Sequence, residues 1–206
     1  MLIEKSLADL LDAFSASDPT PGGGSAAALA GALGAALLAM VAGLPKTRHD
    51  SDEDREALTA ARHALLALRS RLAALVDRDA EAYDRVVAAY RLPKATDQEK
   101  AARSEVIRQA VRLATETPLE VMRACEAGVR LADPVAACGN PSASSDLRVG
   151  LELLGAGLRG ARLNVEINLG SVKDETFVSS ARREIAELQA AAEDGTGQAC
   201  ARLAAQ

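Results

Sequence analysis

Apolar and polar positions along the chain recur at the three- and four-residue spacing that is typical of amphipathic helices. The clearest pattern runs from about Asp52 to Tyr90 and predicts one long helix. A shorter stripe between Ile3 and Phe14 predicts a short amphipathic helix near the N-terminus. The long stripe consists of Leu58, Leu65, Leu68, Leu72, Val76, Tyr83, Val86 and Tyr90.

Residues 22–44 break this alternation because they contain neither a charged nor an aromatic side chain. The segment predicts a buried helix to about Gly43, ended by Pro45, in which small residues let neighbouring helices approach closely. About twenty apolar residues would also suffice to cross a bilayer. However, most of them are Gly and Ala, and neither an aromatic belt nor a basic cluster flanks the segment. We therefore expect a core helix and no membrane span.

The remaining pattern predicts three more helices and no long linker. Thr96 to Glu99 has the form of a capping box and begins a helix that we expect to kink at Pro118 and to end near Leu131. Then come a loop over 132–145, a helix over 145–169, a charged helix over 174–193 and a frayed tail from Gly195. The prediction is a single all-α domain over 1–206, a bundle of about six helices including one long helix.

Composition narrows the classes of function. The net charge is −5 and the charges are mixed, without a basic stripe carrying aromatic residues, so we expect no nucleic-acid partner. The three cysteines are odd in number and widely spaced, which fits reduced thiols in the cytosol better than disulfides. Acidic residues within the N-terminal pattern argue against a signal peptide, so we expect a cytoplasmic protein.

Three familiar motifs are excluded by their context. The segment "GGGS" lacks the Lys-Ser/Thr pair of a phosphate loop. The match "GAGLRG" at 155–160 to a dinucleotide fingerprint leaves too few residues for a crossover helix, and the chain offers no parallel sheet. His49 and His63 lie 14 residues apart without any further ligand motif, so we expect no metal site.

Several polar residues fall on apolar helix faces. Asp79 continues the stripe of the long helix, either as a buried structural partner of an arginine or of a helix terminus, or as a carboxylate held for acid–base or cation-binding work. Asp146 lies in the first turn of a predicted helix, where the helix dipole favours an acid, and can also be read as functional. Asn164 and Asn168 follow on that helix one turn apart, as core amides or as groups that orient a heteroaromatic ring.

Four segments occur in an order that resembles the formiminotransferase-cyclodeaminase C-terminal family, over about residues 3–180. They are "PTPGGGSAAALAGALGAALLAMVAGL", "DAEAYDRVVAAYRLPK", "GN" with "SSD" at 139–146, and "ARLNVEINL". This family includes stand-alone bacterial methenyltetrahydrofolate cyclohydrolases. The resemblance implies an all-helical homodimer that acts on a one-carbon-substituted tetrahydrofolate without a metal or redox cofactor.

The resemblance also implies which residues form the site. Asp79 and Asp146 are expected to be the catalytic acid–base or cation-stabilising groups. Substrate-binding residues are expected at the helix start, in the polar connection and on the later helices: Gly23, Gly24, Ser25, Lys46, Arg48, Tyr83, Asn140, Asn164 and Asn168. Lys46 or Arg48 would meet the glutamate tail, although "GLPKTRHDS" departs there from the Thr-x-Gly-Lys-rich segment that family members often carry.

Three functions remain open at this point. We rank hydrolysis of 5,10-methenyltetrahydrofolate to 10-formyltetrahydrofolate first, because we expect no formiminotransferase domain beside this one. Cyclodeamination of 5-formiminotetrahydrofolate, with release of ammonia, is the enzymatic alternative. A catalytically silent folate-binding helical dimer is the third possibility, which the altered "LPKTRHD" segment favours.

Overall fold

A computed structural model of the chain describes residues 1–204, and within them every regular element is a helix. The six α-helices are α1 (Leu7–Ser15), α2 (Gly23–Ala42), α3 (Asp52–Tyr90), α4 (Asp97–Cys138), α5 (Ser144–Leu169) and α6 (Glu175–Ala204). Single 3₁₀ turns, Leu2–Glu4 and Pro141–Ala143, precede α1 and α5. The prediction of an all-α bundle of six helices is confirmed.

Helix α2 is the central element and packs against α3, α4 and α5. Its first turn lies beside Asp79 of α3 and Asn164 of α5, whereas its last residues lie beside Arg62 of α3. Helices α3 and α5 are therefore antiparallel to α2, and α6 covers α4. The bundle has two ends, which we call the Gly23 end and the Gly43 end after the residues at which α2 begins and stops.

The crossing of α2 and α5 depends on glycine. A Cβ atom added to Gly157 would lie 2.8 Å from the carbonyl oxygen of Ala27 and 3.0 Å from the amide nitrogen of Gly31. A Cβ on Gly34 would lie 2.7 Å from the carbonyl oxygen of Gly150. These are backbone atoms of packed helices and cannot rotate away, so the two helices meet through their main chains.

Within residues 1–204, α2 is also the helix whose length and mean hydropathy of 2.0 would suffice for a membrane span. However, 61% of its apolar window is buried inside the fold. Ala28, Ala35 and Leu38 are completely inaccessible to solvent. These contacts are those of a core helix.

Three of the predicted helices have other bounds in the structure. Helix α4 does not end near Leu131 but continues through Pro134 to Cys138, so the chain has two long helices of 39 and 42 residues rather than one. Helix α6 passes 193 and includes Gly195 and Gly197, where a frayed tail was expected. Helix α1 begins only at Leu7, which is 71% exposed. Tertiary packing explains the longer helices, since each proline removes only one backbone donor and each glycine costs about 1 kcal/mol in helix propensity.

Candidate active site

The Gly23 end contains a carboxylate held against the start of the central helix. The Oγ of Ser25 lies 3.0 Å from Oδ2 of Asp79 and 2.9 Å from the carbonyl oxygen of Val76. A hydroxyl group has one hydrogen but can also accept. Ser25 can therefore donate to Asp79 when that carboxylate is ionised, or donate to Val76 and accept from Asp79 when the carboxyl is protonated. The pair accommodates both protonation states without rearrangement of heavy atoms.

Glycine at position 24 makes room for this carboxylate. A Cβ atom added to Gly24 would lie 2.1 Å from Oδ1 of Asp79 and 2.6 Å from its Cγ. Any larger residue would push the aspartate away from the α2 N-terminus. Gly24 and Ser25 of the "GGGS" segment are thus explained by the close approach of a side chain from α3, rather than by a phosphate loop.

Burial raises the pKa of Asp79 above its ordinary value, and hydrogen bonds from the Ser25 hydroxyl and backbone N–H oppose this rise without cancelling it. No Lys, Arg or His within residues 1–204 forms an ion pair with Asp79. Within one chain Asp79 is therefore not the partner of an arginine, but it does lie at a helix terminus, because it accepts from the backbone N–H of Ser25 in the first turn of α2. The carboxylate is free to pair with a cationic ligand or to exchange a proton with one.

Asn164 of α5 lies beside Gly23 at the same helix start. Its Nδ2 donates to the carbonyl oxygen of Gly160 at 2.9 Å, and this bond fixes the orientation of the amide. A Cβ on Gly23 would lie 3.5 Å from that Nδ2 and 3.8 Å from Oδ1. Tyr83, 42% exposed, follows Asp79 by one turn of α3. The structure therefore brings Gly23, Gly24, Ser25, Asp79 and Asn164 together, with Tyr83 one turn beyond.

Asn168 has a structural role that the sequence did not reveal. Its Nδ2 donates to the carbonyl oxygen of Ala114 at 2.7 Å. In a regular helix that carbonyl would accept from the residue four positions later, which is Pro118 and has no N–H. Asn168 of α5 thus satisfies the carbonyl that the proline leaves free in α4.

This pairing predicts a non-additive double mutant. Asn168→Ala should lower the free energy of unfolding by about 1–3 kcal/mol, because it leaves a carbonyl without its partner. In a Pro118→Ala background the same change should cost less, because residue 118 then supplies the missing N–H. Urea unfolding of the four proteins measures the coupling. Equal losses in both backgrounds would contradict this role of Asn168.

The other predicted site residues lie at the Gly43 end. Lys46 is exposed, and Arg48 donates from Nη2 to the carbonyl oxygen of Ala136 at 3.0 Å. Oδ1 of Asn140 accepts from the backbone N–H of Ser142 and caps a 3₁₀ turn. Asp146 lies in the first turn of α5 without a side-chain hydrogen bond or ion pair to any residue in 1–204.

Within a single chain, the predicted site residues at the Gly23 end and those at the Gly43 end lie far apart. Helix α2 has 20 residues and is therefore about 30 Å long, which separates its two ends. Asp79 and Asp146 therefore lie near opposite ends of α2 within one chain, and neither Lys46 nor Arg48 approaches Asp79. A role for these residues beside Asp79 would require a second copy of the chain.

A buried carboxylate at the Gly43 end was not predicted from the sequence. Asp54 is 7% exposed and accepts from the backbone N–H of His49 at 3.0 Å. This bond, with smaller contributions from the Cys138 thiol and the His49 ring, lowers the pKa of Asp54 against the opposing effect of burial. The only sequence signal was an acid in the first turn after Ser51. Through these contacts Asp54 links the 44–51 segment to α3 and α4.

Within residues 1–204, no three His, Cys, Asp or Glu side chains lie close enough together to hold a metal ion.

Comparison with known proteins establishes the family. The profile of the Formiminotransferase-cyclodeaminase family matches residues 6–187, nearly all of the bundle. The chain belongs to this family. Its expected membership, inferred above from four segments, is confirmed.

Two kinds of relative accompany the match. A methenyltetrahydrofolate cyclohydrolase of Methylorubrum extorquens is 40% identical over 182 residues, which cover 88% of each chain. The formimidoyltransferase-cyclodeaminase of Rattus norvegicus is 32% identical, over 91% of this chain but only 35% of that protein. The crystal structure of formiminotetrahydrofolate cyclodeaminase from Thermotoga maritima has a TM-score of 0.87 at 26% identity, and the match covers 100% of this chain and 98% of that one.

Proposed function

We propose that this protein hydrolyses 5,10-methenyltetrahydrofolate to 10-formyltetrahydrofolate, and that the reaction takes place at the Gly23 end with Asp79 as the proton-transfer group. The observation that carries the proposal is the contact of Asp79 with Ser25. The Asp79 carboxyl has a raised pKa and no cationic partner, and the Ser25 hydroxyl can form a hydrogen bond with it in either protonation state. A related cyclohydrolase of nearly equal length supports the choice of reaction.

The chemistry of the substrate matches this carboxylate. The methenyl carbon joins N5 and N10 in a cationic amidinium, which an unpaired carboxylate attracts. Water adds to that carbon while Asp79 takes one of its protons, giving a tetrahedral carbon bonded to both nitrogens and a hydroxyl. Asp79 then returns the proton to N5 as the bond from carbon to N5 breaks. The hydroxyl proton is released, and the formyl group remains on N10.

Neighbouring groups would orient the substrate. The first turn of α2 presents backbone N–H groups that no helical carbonyl satisfies, and such groups suit a pterin carbonyl or a carboxylate. Oδ1 of Asn164 remains an acceptor while its Nδ2 is engaged by Gly160. These contacts would hold the ring system while Asp79 acts at the one-carbon bridge. We assign no metal or redox cofactor to this reaction.

Cyclodeamination of 5-formiminotetrahydrofolate is the second candidate. Its specific support is the fold of the Thermotoga maritima cyclodeaminase, which matches the whole chain. In that reaction N10 attacks the formimino carbon, and ammonia leaves from the same kind of tetrahedral centre. A carboxylate such as Asp79 would supply the proton that the leaving nitrogen needs.

The decisive assay offers both substrates to the purified protein. Loss of the near-ultraviolet absorbance of methenyltetrahydrofolate, faster than in protein-free buffer, is the expected result. With 5-formiminotetrahydrofolate, cyclodeaminase activity would instead raise that absorbance and release ammonia. A rise of this kind without any hydrolysis would replace the first proposal by the second. Binding of folate with neither reaction would contradict both.

We further propose that the protein works as a homodimer in the cytoplasm, without a nucleic-acid or membrane partner. Large apolar side chains on α2 and α5 remain at the surface of the single chain. Leu33 is 54% exposed, Met40 42%, Leu163 60% and Ile167 76%. A second copy covering them would form the twofold assembly that is commonest among oligomers.

A further inference from the structure

A cavity lined by charged, aromatic and apolar side chains lies beyond the Asp79 site at the Gly23 end. Its volume is about 460 Å³, and the linker after α5 and the N-terminal half of α4 form its walls. We call it the arginine cleft and define it by six of its residues: Tyr90, Arg103, Arg108, Arg112, Lys173 and Phe177.

Cations outnumber acids in the arginine cleft. Four cationic side chains line it against two acidic ones, Glu105 and Asp174. Glu105 pairs with Arg108 and Asp174 pairs with Arg112, so both acids are already engaged. Within residues 1–204, Arg103 and Lys173 form no ion pair. Two positive charges are therefore available to an anionic ligand.

Two guanidinium groups of the arginine cleft, those of Arg103 and Arg112, are held in place by stacking on aromatic rings. Arg103 stacks 5.5 Å from the ring centre of Tyr90 and donates from Nη2 to the Tyr90 carbonyl oxygen at 3.0 Å. Its Nε is buried and has no hydrogen-bond partner. Arg112 stacks 4.6 Å from the ring centre of Phe177. Arginines held against aromatic rings bind carboxylates with little loss of side-chain entropy.

The position of the cleft relates it to Asp79. From Asp79, α3 continues for eleven residues to Tyr90, a rise of about 16 Å. From Asn164, α5 continues past Asn168 to Leu169, and Ser171 and Val172 line the cleft. A ligand whose reacting carbon lies at Asp79 would reach the cleft with an extended arm. Val111 and Val172 add apolar wall beside the two aromatic rings.

We propose that the arginine cleft binds the aryl-glutamate arm of the folate substrate. The inference rests on the proposed function, which supplies a ligand with its one-carbon group at one end and carboxylates at the other. The aminobenzoyl ring contacts the apolar and aromatic wall, and the glutamate carboxylates accept hydrogen bonds from Arg103 and Lys173. The cleft thus takes the role that the sequence assigned to Lys46 or Arg48 at the far end of the bundle.

Two variants test the binding role by kinetics. Lys173→Met removes an exposed charge, and Arg103→Lys keeps the charge but removes the planar group and its Nε. Each should raise the KM for methenyltetrahydrofolate about tenfold while kcat stays within about twofold. Lys5→Met, at an exposed position beside α1, removes one charge as a matched control and should leave both constants unchanged. Unchanged KM in both cleft variants, with normal melting temperatures, would overturn the inference.

The substrate can be shortened in a complementary test. A tetrahydropteroate analogue lacks the glutamate, so the wild-type protein should use its methenyl form with about a tenfold higher KM. Because the contact is already absent, Lys173→Met should not raise that KM further. Equal KM values for the analogue and the full substrate in the wild type would contradict the proposed contact.

A binding measurement separates this inference from the proposed function. Titration calorimetry with 4-aminobenzoyl-glutamate should detect binding to the wild type and about tenfold weaker binding to each cleft variant. Inorganic phosphate should not compete, because it lacks the ring that the aromatic wall requires. Binding of this probe by a protein that does not hydrolyse methenyltetrahydrofolate would support the binding role of the cleft and refute the proposed reaction. Hydrolysis with no binding of this probe, or with competition by phosphate, would refute the cleft alone.

Discussion

Asp79→Asn is expected to lower kcat for methenyltetrahydrofolate hydrolysis by roughly 10²–10⁴, the usual effect of losing a positioned acid–base group. The amide keeps the shape of the side chain and can still accept from the Ser25 hydroxyl, so the fold should be retained. Stopped-flow absorbance of the substrate and a thermal melt of the same preparation measure the two effects. Asp84→Asn, on an exposed face of the same helix, is the matched control and should change neither.

The stability of this variant should depend on pH in a defined direction. Because the folded-state pKa of Asp79 is raised, the folded state binds more protons than the unfolded state between the ordinary pKa and the raised one. The contribution of Asp79 to the free energy of unfolding therefore falls as pH rises through that window. Above the window the carboxyl is ionised in both states, and the folded state keeps the full cost of burying that charge. Asp79→Asn should match wild type at the acidic limit and become relatively more stable towards neutral pH. Near-wild-type kcat would remove Asp79 from the mechanism, whereas a strong loss of stability at neutral pH would contradict a buried carboxylate without a cationic partner.

Gly157→Ala is expected to produce the largest change in stability. The added Cβ would lie within about 3 Å of two backbone atoms of α2, so α2 and α5 must move apart along their contact. We expect a loss of about 2–3 kcal/mol in the free energy of unfolding, the upper range for overpacking, although alanine is the better helix former. Urea denaturation followed by circular dichroism measures this loss.

Gly197→Ala is the control for the helix propensity. Gly197 lies within α6, and a Cβ there would meet no atom within 4 Å. This substitution should raise the free energy of unfolding by about 0.5–1 kcal/mol, because only the propensity changes. If Gly157→Ala stabilised the protein as Gly197→Ala does, the close main-chain contact of α2 and α5 would be refuted.

The sequence was sufficient to predict an element wherever the signal was local. The charge-free segment predicted α2, and the capping box at Thr96 predicted the start of α4, in which both of its hydrogen bonds are present. It placed Asp79 on a partly buried face because the residues around it repeat every three or four positions. It failed at Pro134 and Gly195, where local propensity argued for helix ends but packing in the bundle continues the helix.

The site was only partly predictable for the same reason. Each candidate residue is recognised only from its neighbours in the sequence, and these do not reveal that Asp79 reaches Ser25 whereas Asp146 lies at the far end of α2. Asn168 was correctly seen as an amide on an apolar face, but its partner is a carbonyl freed by a proline 50 positions earlier in the chain. The arginine cleft had no sequence signal, since its cations are scattered among many other charged residues.

The sequence by itself determined that this protein is an all-helical bundle built around a helix of small residues, and that an aspartate lies on a face turned towards that helix. Periodicity, caps and composition act within a few turns of one helix, so they can be read without the fold. Only the tertiary structure decided which residues of different helices meet, because the contacts of Asp79 with Ser25 and of Asn168 with Ala114 each join residues 54 positions apart. Such contacts depend on how whole helices pack, and packing divided the predicted residues between two ends of the bundle.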